Sequence, residues 1–419
     1  MFLIPKPMMT RYSIALAGLA FCGCLGLAEA AARKPVPAKA PSPGQQVEAP
    51  KPVPGKTVAL AYLHQLPTTL PVRPYFDPTP ADEGLQGARL GIKDNNTTGQ
   101  FTRQSFTLTE VQVPADGDPR EALKTLIASG IRFVLLDLPA ERILELADLP
   151  EARDVLLLNV SRPEDRLRAA DCRKNLAHLL PSHAMRSDAL AQYLAKKRWT
   201  KWLLVVGNAE EDPLYAAAIR QSARKFGGKI VAEKKWDHRI DDRRTPESEV
   251  PVFTQEEDHD VVVVIDQSSA FADVLPYRTW LPRPVTGDAG LMPTAWHRTH
   301  EAWGALQLQN RFREQAARDM NERDYAAWLA ARSVGEAATR TNSTEFEALR
   351  VFLFGDAFSL AGFKGVPLSF RTWDHQLRQP VLLAADRSLV AVAPIEGYLH
   401  PKNELDTLGY DQAESACKF

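Results

Sequence analysis

Little in this chain is built for catalysis. No G-x-x-x-x-G-K-[ST], G-x-G-x-x-G or G-x-S-x-G string occurs. That removes the phosphate-cradling loop, the dinucleotide turn and the nucleophile elbow. "HRTHE" (His297 to Glu301) has two histidines near a glutamate, but in neither the H-E-x-x-H nor the H-x-x-E-H order, so no zinc site is expected. An excess of one charge is missing too: 51 Lys and Arg stand against 52 Asp and Glu. Without a basic field, nucleic acid is excluded as a partner. Apolar runs long enough to cross a bilayer are also lacking.

Cysteine is scarce, with 4 in 419 residues. Cys22 and Cys24 fall inside an apolar run, residues 14–27, that follows Lys6 and Arg11 and leads to Ala28-Glu29-Ala30. This order is that of a cleavable export signal over residues 1–30. Phe21 fits a lipobox poorly before either cysteine, which argues against lipid attachment. Cys172 and Cys417 then remain, and in an exported protein they are expected to pair and to tie the tail to the middle of the chain. The competing reading is two unpaired buried thiols. Residues 31–56 are dense in proline and read as an extended tether without a core.

From residue 57 onward the chain alternates strand and helix. "TVALAYL", "SFTLTEVQV", "RFVLLDL" and "DVLLLNV" read as strands, and "DEGLQGARLGIKDNN" (with Asp82 as cap), "DPREALKTLIAS" and "AERILELAD" read as helices. The polar string "DNNTTGQF" (94–101) reads as a helix end and turn. The pattern restarts with "DALAQYLAKKRW", "KWLLVVG", "PLYAAAIRQSARKFGG", "KIVAEKKW" and "DVVVVID". Tyr325, Trp328, Leu329 and Arg332 form one stripe of a later helix. The expected fold is α/β: two Rossmann-like lobes with parallel sheets and a hinge, over 57–185 and 186–320, with 321–419 crossing between them and forming the tail.

Ligands bind beyond the carboxyl ends of strands in such sheets. That rule selects loops 62–67, 137–139, 159–165, 207–212 and 266–269, and the stretch near Trp296. "LNVSRPED" puts Asn159, Ser161 and Arg162 past a strand, an amide, a hydroxyl and a guanidinium suited to a carboxylate. "PVRPYFDP" adds Arg73 and Tyr75. "TAWHRTHEAWG" adds Trp296, His297 and Arg298, with Trp296 expected at the ligand and Trp303 in the core. Asp165 and Asp266 are available for an ammonium group.

Several long strings carry a resemblance: "DEGLQGARLGIKDNNTTGQF", "DCRKNLAHLLPS", "TAWHRTHEAWGALQLQNRF", "MNERDYAAWLAARSVGEA", "FRTWDHQLRQPVLLA" and "HPKNELDTLGYDQAESAC". The chain resembles type I periplasmic substrate-binding proteins. Within them it is similar to the ABC-transporter substrate-binding protein of the PQQ-dependent alcohol dehydrogenase system. The resemblance implies a monomeric periplasmic receptor, not an enzyme, that closes on its ligand and delivers it to an inner-membrane ABC permease. It implies pyrroloquinoline quinone (PQQ) as bound ligand and possible contact with a PQQ-dependent dehydrogenase. Planar and tricarboxylic, the quinone suits Trp296, Arg298 and Arg162. A receptor for an amino acid or other small carboxylate, and a periplasmic protein handing cofactor to the dehydrogenase, are the competing expectations.

Overall fold

The computed structural model describes residues 56–66, 79–237 and 244–419. The export signal, nearly all of the proline-rich tether, Arg73 and Tyr75 lie outside the described residues.

In the first lobe, β1 (Thr57–Gln65), β2 (Ser105–Val113), β3 (Phe133–Asp137), β4 (Leu156–Asn159) and β5 (Leu176–His178) form a parallel sheet in the order β2-β1-β3-β4-β5. Helices α1 (Leu85–Thr102), α2 (Pro119–Ala128) and α3 (Ala140–Ala147) connect the first four strands. The middle strands are buried along their length because helices cover both faces of the sheet, so "FVLL" and "LLLN" show no alternation. Asp118 caps α2 by accepting from the Arg120 N–H at 2.9 Å.

Helices α4 (His183–Lys197), α5 (Asp212–Phe226), α6 (Pro246–Phe253) and α7 (Leu275–Arg278) belong to the second lobe. They flank β6 (Lys201–Val206), β7 (Lys229–Lys235), β8 (Val261–Ile265) and β9 (Val285–Gly287), a parallel sheet in the order β7-β6-β8-β9. A short antiparallel sheet of β10 (Met292–Thr294), β14 (Val381–Ala385) and β15 (Ser388–Ala393) extends this lobe. The first lobe regains the chain with α8 (Ala305–Ala316), α9 (Glu322–Thr341), α10 (Phe346–Leu353) and the small sheet β11 (Leu360–Ala361), β12 (Pro367–Phe370) and β13 (Leu377–Arg378).

The backbone therefore passes between the lobe cores near residues 181–182, 294–295 and 378–380. The second boundary was expected at 320. It lies about 25 residues earlier because Ala305, Leu308 and Phe312 of α8 bury against the first lobe's core.

Two local readings are corrected. Residues 94–101 are not a turn but the last two turns of α1, which runs to Thr102. Asn95 is buried there, and its amide donates to Ala331 O on α9 at 2.8 Å. Buried polar groups that find partners do not end a helix. Asp82 does not cap α1; its carboxylate instead accepts from Arg318 Nε and Gln86 Nε2. The α1–α9 seam explains Gly87 and Gly91. A Cβ on Gly87 would lie 1.8 Å from Asp324 O, and one on Gly91 2.7 Å from Ala331 Cβ.

Candidate functional site

The carboxyl ends of the two parallel sheets face one another, and side chains from both lobes meet between them. Arg162, past β4, donates to Glu211, past β6, at 2.7 Å. Arg162 is steadied from its own lobe by Leu138 O, 2.9 Å from Nε. Asp165, three residues on, accepts from the Ala184 N–H at the start of α4 at 3.0 Å. Pro163 O accepts from the His183 N–H at 2.9 Å.

Deeper in, Arg186 of α4 pairs with Glu322 at the start of α9 at 2.8 Å. Glu322 also accepts from Thr294 Oγ1 at 2.9 Å and from the Ala295 N–H at 3.1 Å, on the second crossing. Burial alone would raise the Glu322 pKa, but Arg186 and these donors outweigh it and hold the carboxyl below its usual range. The next residue, Arg323, reaches Glu83 at 2.9 Å and Asp137, at the end of β3, at 3.6 Å. Tyr62 Oη donates to Asp137 at 3.0 Å, and burial together with that carboxylate pushes the phenol pKa up.

On the second lobe, Tyr215 of α5 stacks on His183 with ring centroids 4.6 Å apart. His183 is 1% exposed, and neither ring nitrogen has a hydrogen-bond partner among the described residues. Burial lowers its pKa to about 3, so the ring is neutral. Asp266 and Asp288, past β8 and β9, are engaged in loop structure. Asp266 accepts from the Phe271 and Ala272 N–H groups, and Asp288 from the Asp266 N–H and Gln267 Nε2.

The residues singled out from the sequence divide sharply. Arg162 is at the rim. Asn159 and Ser161 lie beside it but shape the loop: Asn159 Oδ1 accepts from the Ser161 and Arg162 N–H groups, and its amide donates to Arg162 O at 2.9 Å. Trp296, expected against the ligand, is 2% exposed and sits in the first lobe's core, stacked on Tyr325 at 4.4 Å. Trp303, expected in the core, is 70% exposed. Residues 296–301 are irregular, and Trp303 has φ +58°. Arg298 turns outward to Asp386 at 2.5 Å and lines an open surface hollow of about 710 Å³ with Arg313 and Arg387. His297 Nδ1 lies 2.8 Å from Thr299 Oγ1, and His300 Nε2 lies 2.8 Å from Phe363 O. Asp266 is committed to its own loop rather than open to an ammonium.

Sequence reasoning missed His183, Arg186, Tyr215, Glu322 and Arg323. All sit in the first turns of helices entered from the cleft side. "NERD", with Asn321 and Asp324 forming a capping box, was the visible signal for two of them.

No protein-family model matches the sequence, and no curated protein matches it. Solved structures do match in fold. A branched-chain amino acid ABC transporter periplasmic ligand-binding protein from Burkholderia xenovorans is 14% identical, with TM-score 0.66, over 86% of this chain and 99% of that one. A leucine-, isoleucine-, valine-, threonine- and alanine-binding protein from Brucella ovis, in a closed conformation, is 16% identical, with TM-score 0.62, over 82% and 93%. The fold is that of a type I periplasmic binding protein. A solute-binding protein from R. palustris in complex with benzoate shares this binding-protein fold at 10% identity, TM-score 0.61, over 87% of this chain and 100% of that one. By the strand-end rule, the space between the two sheets' carboxyl ends is the candidate ligand site. None of these likenesses singles out the PQQ system.

Proposed function

We propose that the chain is the solute-capturing component of an ABC importer, working in the periplasm, and that it holds a small carboxylate such as an amino acid or an aromatic acid. One observation carries this reading: two parallel sheets aim their carboxyl ends at each other across three backbone crossings, with hydrogen-bonding side chains contributed from both sides. A ligand touching both lobes favours the closed arrangement by its differential contact, and the closed pair of rims is what a permease would recognise. Arg162, Arg186 and Arg323 supply guanidinium groups, each already balanced by a carboxylate. The names of the fold neighbours, amino acids in two and benzoate in a third, support the same ligand size and charge.

Pyrroloquinoline quinone is the second reading. Three guanidinium groups around one cleft suit its three carboxylates. It loses ground because Trp296 and Arg298, on which that reading leaned, do not face the cleft. With the quinone as cargo, hand-over to a PQQ-dependent dehydrogenase replaces or accompanies delivery to the permease.

A thermal-shift screen tests this. A ligand at a hundred times its dissociation constant adds about 2.7 kcal/mol. The expected hits are amino acids or benzoates. A hit with the quinone alone moves the second reading to first place. No shift with any of these classes overturns the carboxylate assignment.

A further inference from the structure

We infer that the carboxyl-terminal tail is a fourth connection between the lobes, fastened by the Cys172–Cys417 disulfide, and that it limits how far the cleft opens. The inference rests on the hinge reading of the proposed function and adds a restraint to it.

The tail is anchored on the second lobe first. Ile395 and Leu408 bury in that lobe's core, and the Ile395 N–H donates to Gln192 of α4 at 2.9 Å. The Gly409 N–H donates to Asp188 of α4 at 2.8 Å, and Gly409 O accepts from Lys225 of α5 at 3.0 Å. Tyr410 Oη meets Gln221 of α5 at 3.0 Å. The first lobe already reaches this stretch through Arg371, between β12 and β13, which donates to Asp406 at 2.9 Å, to Leu408 O at 2.7 Å and to Tyr410 O at 3.2 Å. Seven residues after Tyr410 the chain is joined to that lobe covalently. Cys417 is bonded to Cys172, in the loop before β5, and the Phe419 ring lies 4.6 Å from that of His375, which itself stacks on Phe354 at the end of α10.

Between the two anchorages run only residues 411–416. The seven Cα steps from Tyr410 to Cys417 extend to at most about 25 Å. Part of that length is folded into a turn, with the Glu414 N–H donating to Asp411 O at 3.0 Å. Moderate opening can be absorbed by unfolding this turn. Opening that parts the tail from Arg371 breaks its bonds to Asp406, Leu408 O and Tyr410 O first. Wider opening must then pull Tyr410 and Gly409 from α4 and α5, or Phe419 from His375. The three backbone crossings are main-chain continuations at the hinge itself. The tail differs in being closed by a bond between side chains 245 residues apart, so it can be released without cutting the chain.

The test uses ligand-free full-length protein with dyes on noncanonical residues at Glu121 of α2 and Arg224 of α5, read by single-molecule energy transfer. In the Cys172→Ser/Cys417→Ser variant the interdye separation is expected to lengthen by several ångströms and its distribution to broaden. Inserting six Gly/Ser residues after Gln412 keeps the disulfide and both anchorages but lengthens the strap. It should widen the distribution equally, and it decides the matter if the serine variant folds poorly. Identical distributions in the wild type and the lengthened chain overturn the inference. Because no ligand is present, this result is independent of the ligand assignment.

Discussion

Arg162 on one lobe and Glu211 on the other meet at 2.7 Å across the mouth of the cleft. Arg162 was expected to hold a ligand carboxylate. Here a protein carboxylate pairs with the guanidinium, so Arg162 ties the two lobes together at this point. Both side chains keep partial exposure, and such pairs contribute about 0–1 kcal/mol. Arg162→Glu should shift the ligand-free protein toward the open form and raise its radius of gyration in small-angle scattering. Adding Glu211→Arg should restore it. An unchanged radius in the single variant would show that the contact does not hold the lobes.

Arg186 and Glu322 are a stronger tie, more deeply buried and joined to Thr294 and Ala295 on the second crossing. Removing one partner leaves the other charge partly buried and unpaired. Arg186→Met should therefore destabilise the fold by about 1–3 kcal/mol in urea unfolding. Glu322 has its pKa lowered in the fold, so its contribution is present above the unfolded value near 4.3 and is lost as pH falls through the lower folded value.

Histidines give a second acid sensitivity, in a different window. His183 is held at about 3 and His375 at about 4, both by burial. The unfolded chain takes up these protons near pH 6.5 while the folded chain does not. Stability should therefore fall as pH drops below about 6.5, by up to roughly 1.4 kcal/mol per pH unit for each group. Replacing His183 with Phe, which preserves a ring against Tyr215, should flatten the urea midpoint between pH 6 and 4. A slope identical to wild type would mean that His183 protonates freely in the fold.

Trp296, expected at a ligand, is buried, and Trp303, expected in the core, is exposed, and their substitutions should differ accordingly. Trp296→Ala should cost about 3–5 kcal/mol, the scale of emptying a buried aromatic site. Its effect should show in the melting temperature rather than in ligand affinity alone. Trp303→Ala should cost less than about 1 kcal/mol, because the ring is largely in solvent. Equal losses would contradict this placement.

The strands were legible because helices cover both faces of each parallel sheet, which leaves runs such as "FVLLD" and "VVVVI" too apolar to be anything else. The glycine stop of α5 at Gly227 was legible for an equally local reason. The site was read less well. The strand-end rule led to Arg162, but it gave no weight to Arg186 or Glu322, whose helices are ordinary in sequence and reach the cleft only through the crossings. The two tryptophans were misplaced because residues 296–301 are irregular, and which ring is buried there is set by packing against Tyr325 rather than by local pattern.

Composition and periodicity determined the class of the molecule: two α/β lobes, with no catalytic motif. Those signals are local, arising from what a few neighbouring residues can bury or bond. Which lobe takes α8, which tryptophan meets solvent, and which carboxylate reaches Arg162 were decided only by tertiary packing. Each joins residues tens to hundreds of positions apart, and the free energy of burying or pairing them exists only once both are in place.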